Sequence, residues 1–262
     1  MEVYLIYGVL GLFTGVVAGL LGVGGGLIIV PVLVMIFQQQ GFNADIIVHL
    51  AVGTSLATIV FTSLSSVRAH HAHGAVLWPV FWRLTPGIVV GALLGAVAAE
   101  LMSAAFLKRF FAVFELAVAL QMWLGLRPDA ARALPGRWAM SGAGGVIGLV
   151  SAIVGIGGGT LTVPFLVWCN VTMQKAVATS SATGLPIAVA GATGFMLTGW
   201  GESSLPAQSS GFVYQPAFFG IVVTSVLSAP LGAWLAHKLP AKVLKKVFAI
   251  FIAILGLRML LG

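Results

Sequence analysis

Two stretches of this sequence share a glycine-rich motif that could bind an anion. GLLGVGGGLIIVPVL occupies residues 19–33, and AIVGIGGGTLTVPFL occupies residues 152–166. Glycine adopts backbone angles that other residues resist and weakens a helix, so three glycines in a row can end one helix and let another begin. The first N–H groups of the new helix lack partners within it, and with the helix dipole they favour an anion.

Hydroxyl side chains follow each glycine run in matching positions. AVGTSLAT at residues 51–58 corresponds to AVATSSAT at residues 176–183, which aligns two Thr-Ser pairs, Thr54-Ser55 and Thr179-Ser180. Hydroxyls can donate hydrogen bonds to an oxyanion without carrying a charge. Alternatively, they bond carbonyls of their own helix or bridge neighbouring helices. Their presence in both halves favours a binding role.

Three ionisable residues are further candidates. Arg83, in AVLWPVFWRLTPG, either extends its charged group to the cytoplasmic surface of a membrane or pairs with an anion through its guanidinium. Lys175, just before the second Thr-Ser pair, has the same two alternatives. Glu115 lies in the middle of an apolar segment, where an ionisable residue is a functional candidate. It either carries a coupling proton or hydrogen-bonds a neighbouring helix, and Ile252 occupies its position in the second half.

The predicted substrate-binding set combines the glycine runs, the Thr-Ser pairs and two cations. Its members are Gly24, Gly25, Gly26, Thr54, Ser55, Arg83, Gly157, Gly158, Gly159, Lys175, Thr179 and Ser180. We predict no metal and no cofactor, because Cys169 is the single cysteine and the histidines of RAHHAHGAV lie in a predicted loop without nearby Asp, Glu or Cys. Neither glycine run continues into the Lys-Ser/Thr of a nucleotide-binding loop. Membrane segments contain no nucleophile grouping, so we predict no enzyme activity.

The elements that carry these residues are membrane helices. Of the 262 residues, 60% are hydrophobic and 7% are charged, whereas soluble domains average about 25% charged. Continuous apolar runs of roughly 18 residues or more indicate membrane-spanning helices and not barrel strands. The runs are 3–37, 47–66, 75–99, 104–126, 138–169, 176–199, 213–236 and 241–261. The predicted class is an all-α polytopic protein of the lipid bilayer, and no loop has the basic and aromatic composition that binds nucleic acid.

The sequence consists of two similar halves joined by a linker. Residues 1–126 form the first half, residues 138–262 form the second, and residues 127–137 are an Arg-, Pro- and Ala-rich linker. LKRFFAVF at 107–114 matches LKKVFAIF at 244–251, in addition to the motifs above. Duplicated halves are typical of secondary transporters.

The distribution of Lys and Arg predicts how the halves are oriented. If each apolar run crossed the membrane once, the 13 Lys and Arg would divide seven to six between the two sides. If each glycine-broken run returns to its own side, the division is ten to three, and cytoplasmic loops are known to be rich in these residues. We therefore predict two inverted-topology repeats, each with a glycine-broken first helix followed by three transmembrane helices. Both termini would be outside, and the linker would be cytoplasmic.

The doubled G-x-GGG-x4-P segment, each copy followed by A-x-x-T-S, resembles the TauE/SafE family of sulfite and organosulfonate exporters, within the toluene-sulfonate uptake permeases. The carried-over residues are the glycine runs, the Thr-Ser pairs, and Pro31 and Pro164, each of which either kinks a helix or starts its second piece. Members of the family move such anions in either direction, so the resemblance implies transport of a small sulfur-containing oxyanion. We predict an exporter of sulfite or a small organosulfonate in the cytoplasmic (inner) membrane, which works by alternating access at a midplane site between the repeats, with a proton or sodium as candidate coupling ion. The alternatives are an uncoupled small-anion channel or an importer of a related anion. The sequence defines no oligomeric state.

Overall fold

A computed structural model describes residues 2–21, 24–72, 74–125, 133–236 and 241–261. Most of the predicted linker, together with His73, Arg127, Arg132 and Lys238, lies outside the described residues. Within them, the chain forms helices and one short antiparallel ribbon, β1 (Ser209–Ser210) with β2 (Val213–Tyr214). The helices are α1 (Glu2–Leu21), α2 (Gly26–Gln39), α3 (Ile47–Ala72), α4 (Trp78–Glu100), α5 (Ala104–Leu124), α6 (Arg137–Val154), α7 (Gly159–Trp168), α8 (Met173–Thr198), α9 (Gln215–Ala236) and α10 (Ala241–Leu261).

The structure confirms an all-α polytopic membrane protein. Five helices of the described part are long and apolar enough to cross a bilayer: α3, α4, α6, α8 and the stretch Gln215–Gly232 of α9.

The prediction that RAHHAHGAV forms a loop is wrong for its first residues. Helix α3 continues to Ala72, so His70 and His71 lie in its last turn. No group of three His, Cys, Asp or Glu among the described residues could hold a metal ion.

Both glycine runs break a helix. The run 3–37 is divided into α1 and α2, and the run 138–169 is divided into α6 and α7. Gly24 and Gly25 have φ angles of 75° and 80°, and Gly155 has a φ of 74°. These left-handed angles are disfavoured for residues with a Cβ atom. The prolines lie inside α2 and α7, so the second pieces begin at the glycines and not at the prolines.

Helices α1 and α2 form a hairpin that returns the chain to the end of the molecule at which it began. Gln40, directly after α2, donates a hydrogen bond from Nε2 to Tyr7 Oη in α1 at 3.0 Å. The first residues of α9 lie at the same end, because the Tyr214 ring packs edge-on against Phe37 with 5.5 Å between centroids. The break between α1 and α2 therefore reverses the direction of the chain.

The second half makes the corresponding turn at the opposite end. Helix α6 begins beside the first turns of α4, where a Cβ atom on Gly87 would lie 2.7 Å from the Ser141 carbonyl carbon. Helix α8, which follows α7, begins there too, because the backbone N–H of Leu77 donates to Thr179 Oγ1 at 3.0 Å. Helices α6 and α7 thus leave this end and come back to it.

Helices α3 and α8, which occupy equivalent places in the two halves, pack antiparallel at the centre. Gly53 lies beside Phe195, whereas Ser63, ten residues later in α3, lies beside Gly184, earlier in α8. Around them, the first helix of each half packs against the third apolar segment of the other: α1 against α9 and α4 against α6. A methyl group on Gly11 would collide with α9 and one on Gly91 with α6. Small residues at such contacts are typical of membrane helices, and they interlock the halves.

Candidate functional site

The two glycine breaks lie directly against each other. A Cβ atom on Gly24 would lie 3.3 Å from Gly157 Cα. A Cβ atom on Gly26 would collide with the Gly155 carbonyl oxygen and lie 2.8 Å from Ile156 Cα. The breaks therefore touch backbone to backbone, and a side chain at these positions would force them apart. We call this contact, formed by residues 24–26 and 155–159, the glycine junction.

Helices α2 and α7 both begin at the glycine junction, and neither has a side-chain cap. In α2, the N–H groups of Ile28 and Ile29 both bond the Gly25 carbonyl at 3.0 Å. In α7, Thr162 N–H bonds the Gly158 carbonyl at 2.8 Å. The N–H groups that precede these have no acceptor in the same helix. The positive ends of both helix dipoles meet here, which is an arrangement suited to a negatively charged ligand.

Hydroxyl groups surround the second break. Thr183 Oγ1 lies 3.4 Å from Thr162 Oγ1 and is fully buried. A Cβ atom on Gly158 would lie 2.6 Å from Thr183 Oγ1. A Cβ atom on Gly184 would lie 3.0 Å from Ser63 Oγ and 3.5 Å from the Gly158 amide nitrogen. Hydroxyls from α3, α7 and α8 thus converge on the Gly158 side of the glycine junction.

Sequence reasoning missed Ser63 and Thr162 of this cluster, and it also missed Thr160, which directly follows the second glycine run. Thr162 is fully buried, and the buried Thr160 hydroxyl has no hydrogen-bond partner among the described atoms. A comparison of the two motifs could have found the α7 threonines, because Leu27 and Ile29 occupy their positions in the first half. Ser63 carried no comparable signal in the sequence.

The predicted threonines bind backbone from the opposite half of the chain. Thr54 Oγ1 accepts a hydrogen bond from the N–H of Tyr214 at 2.9 Å, and Thr179 Oγ1 accepts the bond from Leu77. Both threonines are fully buried. Leu77 immediately precedes α4 and Tyr214 immediately precedes α9, so the two bonds are equivalent. Each threonine ties its helix to the start of the third apolar segment of the other half.

The predicted serines differ from each other. Ser55 Oγ donates to the Gly155 carbonyl at 2.9 Å, which fastens α3 to the second glycine break. Ser180 Oγ donates to the Val177 carbonyl of its own helix at 2.9 Å. Both are fully buried. The Thr-Ser pairs therefore lie in the two helices that flank the glycine junction, and all four of their hydroxyls bond backbone groups.

The ionisable candidates lie elsewhere. Arg83 and Lys175 are exposed in the first turns of α4 and α8, so the structure does not bring their side chains to the glycine junction. Glu115 is fully buried between α5 and α10, and neither carboxyl oxygen has a partner among the described atoms. A Cβ atom on Gly256 of α10 would lie 3.3 Å from Glu115 Oε2.

Two broken helices that meet in the interior of a duplicated helical bundle are the arrangement of a membrane transporter. The model of the family described as "Sulfite exporter TauE/SafE" matches residues 7–259. A probable membrane transporter protein of Haemophilus influenzae is 34% identical over 96% of this chain and 96% of its own. Relatives also named probable membrane transporter proteins, in Methanocaldococcus jannaschii and Bacillus subtilis, are 27% and 26% identical, covering 97% and 98% of this chain and 94% and 97% of theirs. No solved structure matches. The chain belongs to the TauE/SafE family of membrane transporters.

Proposed function

We propose that the chain exports sulfite or a small organosulfonate across the cytoplasmic (inner) membrane by alternating access at the glycine junction. The observation that carries this proposal is the contact of the two glycine breaks, at which the uncapped helices α2 and α7 begin. A Cβ atom on Gly24 would lie 3.3 Å from Gly157 Cα. The positive dipole ends and free N–H groups suit a small oxyanion. The description of the family supports sulfur chemistry, since sulfite and sulfonates present the same compact set of oxygen acceptors.

In this proposal the backbone of both glycine runs binds the anion, and nearby hydroxyls complete its hydrogen bonds. Thr183 lies beside Gly158 of the second run and contacts Thr162, and Thr160 has a buried hydroxyl with no partner among the described atoms. The Thr-Ser pairs hold α3 and α8 in place around the site. Arg83 and Lys175, exposed near the starts of α4 and α8, attract the anion on the cytoplasmic side.

We further propose that the halves are inverted repeats, residues 1–126 and 138–262, joined by a cytoplasmic linker at 127–137. The antiparallel packing of α3 and α8 supports this topology. The distribution of Lys and Arg among the described residues supports it as well, because these residues concentrate on the cytoplasmic side of membrane proteins. Near the end where α4, α6 and α8 begin, the described cations are Arg68, Arg83, Arg137, Lys175 and Lys246, whereas those near the other end are Lys108, Arg109 and Arg258.

Glu115 is the proposed carrier of a coupling proton. Its carboxyl group is buried at the α5–α10 interface without a partner among the described atoms. Ionisable groups at such depth are costly, and those that occur usually serve a function. An uncoupled channel would need no such group, so proton dependence of transport distinguishes the two mechanisms.

The test is efflux of radiolabelled sulfite from proteoliposomes containing purified protein. We expect Gly25→Leu and Gly158→Leu to abolish efflux. Gly25 has a left-handed φ of 80°, which a residue with a Cβ atom disfavours, and a Cβ atom on Gly158 would lie 2.6 Å from Thr183 Oγ1. Gly142→Leu is the matched control, since a Cβ atom there has no neighbour within 4 Å. If both junction variants export sulfite at the wild-type rate, the glycine junction is not the transport site.

The substrate is identified separately by thermal unfolding of the purified protein. A ligand that binds the folded state raises the unfolding temperature. Sulfite, sulfoacetate, taurine and thiosulfate are compared with sulfate and chloride. Stabilisation by chloride alone, with none by a sulfur anion, would contradict the proposed substrate class.

A further inference from the structure

A cavity lies apart from the glycine junction, where α2 and α10 end and α5 begins. Its volume is about 360 Å³. Its walls combine two cations, two amide side chains and two thioethers: Lys108, Arg258, Gln38, Gln39, Met35 and Met259. Under the proposed topology this cavity opens on the outer side of the membrane. We call it the outer cavity.

The charges of the outer cavity are unbalanced. Lys108 comes from α5 and Arg258 from α10, so the fold places two cations from different helices around one space. Within the described chain, neither has a hydrogen bond or an ion pair with a carboxylate. Two like charges that share a cavity repel each other, and a bound anion relieves that repulsion. The side-chain amides of Gln38 and Gln39 supply additional N–H donors.

The other walls limit what the anion can be. Met35 and Met259 are flexible and polarisable, and they suit an apolar group of variable shape. A cavity of this volume lies within the range of small-ligand pockets. The guanidinium of Arg258 matches the oxygens of sulfonate and phosphate groups better than it matches a spherical halide.

We propose that the outer cavity is a binding site for a sulfonate- or phosphate-type oxyanion that carries a short apolar group. The ligand is either a free solute on the outer side of the membrane or the headgroup of an anionic lipid. Both present the same chemistry to Lys108 and Arg258. This proposal rests on the cavity itself and does not require that the glycine junction transports anions.

The test uses methanesulfonate as the probe and isothermal titration calorimetry as the readout. The protein is held in nanodiscs of neutral phosphatidylcholine. All measurements are made in a Gly158→Leu background, so that binding at the glycine junction does not contribute. The variant Lys108→Gln/Arg258→Gln should bind at least tenfold more weakly than its parent. Arg109→Gln is the matched control, because Arg109 is the neighbouring exposed cation and does not line the cavity.

A second variant keeps the test decisive if the double substitution impairs folding. Gln38→Glu leaves both cations in place and adds a carboxylate at an exposed position in the cavity wall. It should also weaken methanesulfonate binding at least severalfold, whereas Gln38→Asn should not. Equal binding by the parent, Gln38→Glu and the double variant would overturn a free-solute site.

The lipid source is tested in parallel with nanodiscs that contain phosphatidylglycerol. Native mass spectrometry counts the lipids that stay bound to the protein. Retention by the parent and Arg109→Gln, with loss in the double variant and in Gln38→Glu, identifies the ligand as a lipid headgroup. If neither methanesulfonate nor phosphatidylglycerol depends on Lys108 and Arg258, the proposal is wrong. The glycine junction is tested independently by the sulfite efflux assay described above, in which the wild-type protein, which retains Gly158, is compared with the junction variants.

Discussion

The substitution Gly26→Ala tests whether contact between the two glycine breaks stabilises the fold. Gly26 is the first residue of α2, and its α-carbon faces the second break. A methyl group there would collide with the Gly155 carbonyl oxygen and lie 2.8 Å from Ile156 Cα. Both neighbours are backbone atoms, which cannot rotate away as a flexible side chain can. Ordinary contact begins near 3.4 Å, so the breaks must separate by more than half an ångström.

The expected magnitude follows from two opposing effects. Adding a methyl group to a closely packed interior costs about 1–3 kcal/mol. Replacing glycine by alanine in a helix gains up to about 1 kcal/mol. At Gly142 of α6, where a Cβ atom has no neighbour within 4 Å, only the gain applies. The difference in unfolding free energy between Gly26→Ala and Gly142→Ala is therefore the overpacking cost, about 1–3 kcal/mol.

The measurement is thermal unfolding of both variants in the same detergent, together with sulfite efflux. In soluble proteins near this size, 1 kcal/mol shifts the unfolding temperature by roughly 2–4 °C, so a cost near the middle of the range separates the variants by about 4–8 °C. We expect Gly26→Ala to unfold at the lower temperature and to export less sulfite. If Gly26→Ala matches Gly142→Ala in both respects, the breaks do not pack as described.

Three further predictions concern buried polar groups. Ser55→Ala should lower the unfolding free energy by about 1–3 kcal/mol, because the Gly155 carbonyl loses its buried donor; an unchanged unfolding temperature would contradict this. Thr54→Val should destabilise similarly by orphaning the N–H of Tyr214, with Thr54→Ser as the control. If Thr54→Val instead weakens substrate affinity at unchanged stability, Thr54 contacts the anion. Glu115→Gln should abolish the dependence of sulfite efflux on a proton gradient while the protein stays folded, and retained dependence would exclude Glu115 as the coupling group.

The helix breaks could be predicted from the sequence because their cause is local. Three consecutive glycines interrupt an apolar run, 3–37, that would be roughly 50 Å long as one helix, against a hydrocarbon core of about 30 Å. Both the breaks and the hydroxyl pairs recur in the second half, which supplied an internal comparison. The end of α3 was less clear. The polar RAHHAHGAV favoured a loop, yet the helix runs on to Ala72, shortly before Gly74 with its positive φ of 63°.

The role of the threonines could not be predicted, because their partners are distant in sequence. Thr54 is 160 residues from Tyr214, and Thr179 is 102 residues from Leu77. Spacing shows which residues share a helix face, but a membrane helix that is apolar on every side gives no sign of which face meets which neighbour. Likewise, the distribution of Lys and Arg predicted that Lys108 and Arg258 lie on the same side of the membrane, but it could not predict that both line one cavity.

The two halves differ at the glycine junction in a way that bears on transport direction. From this point α2 runs to the end where Gln40 lies, and α7 runs to the opposite end, where α8 begins. The first residues of α2 are apolar, whereas α7 carries Thr160 and Thr162 in the matching places. Under the proposed topology, α7 points to the cytoplasm. Under that topology, the hydroxyls of Thr160 and Thr162 lie on the cytoplasmic side of the glycine junction, whereas the first turns of α2 carry none. If the proposed function holds, we expect this asymmetry to favour loading of the anion from the cytoplasm, which is the direction that export requires.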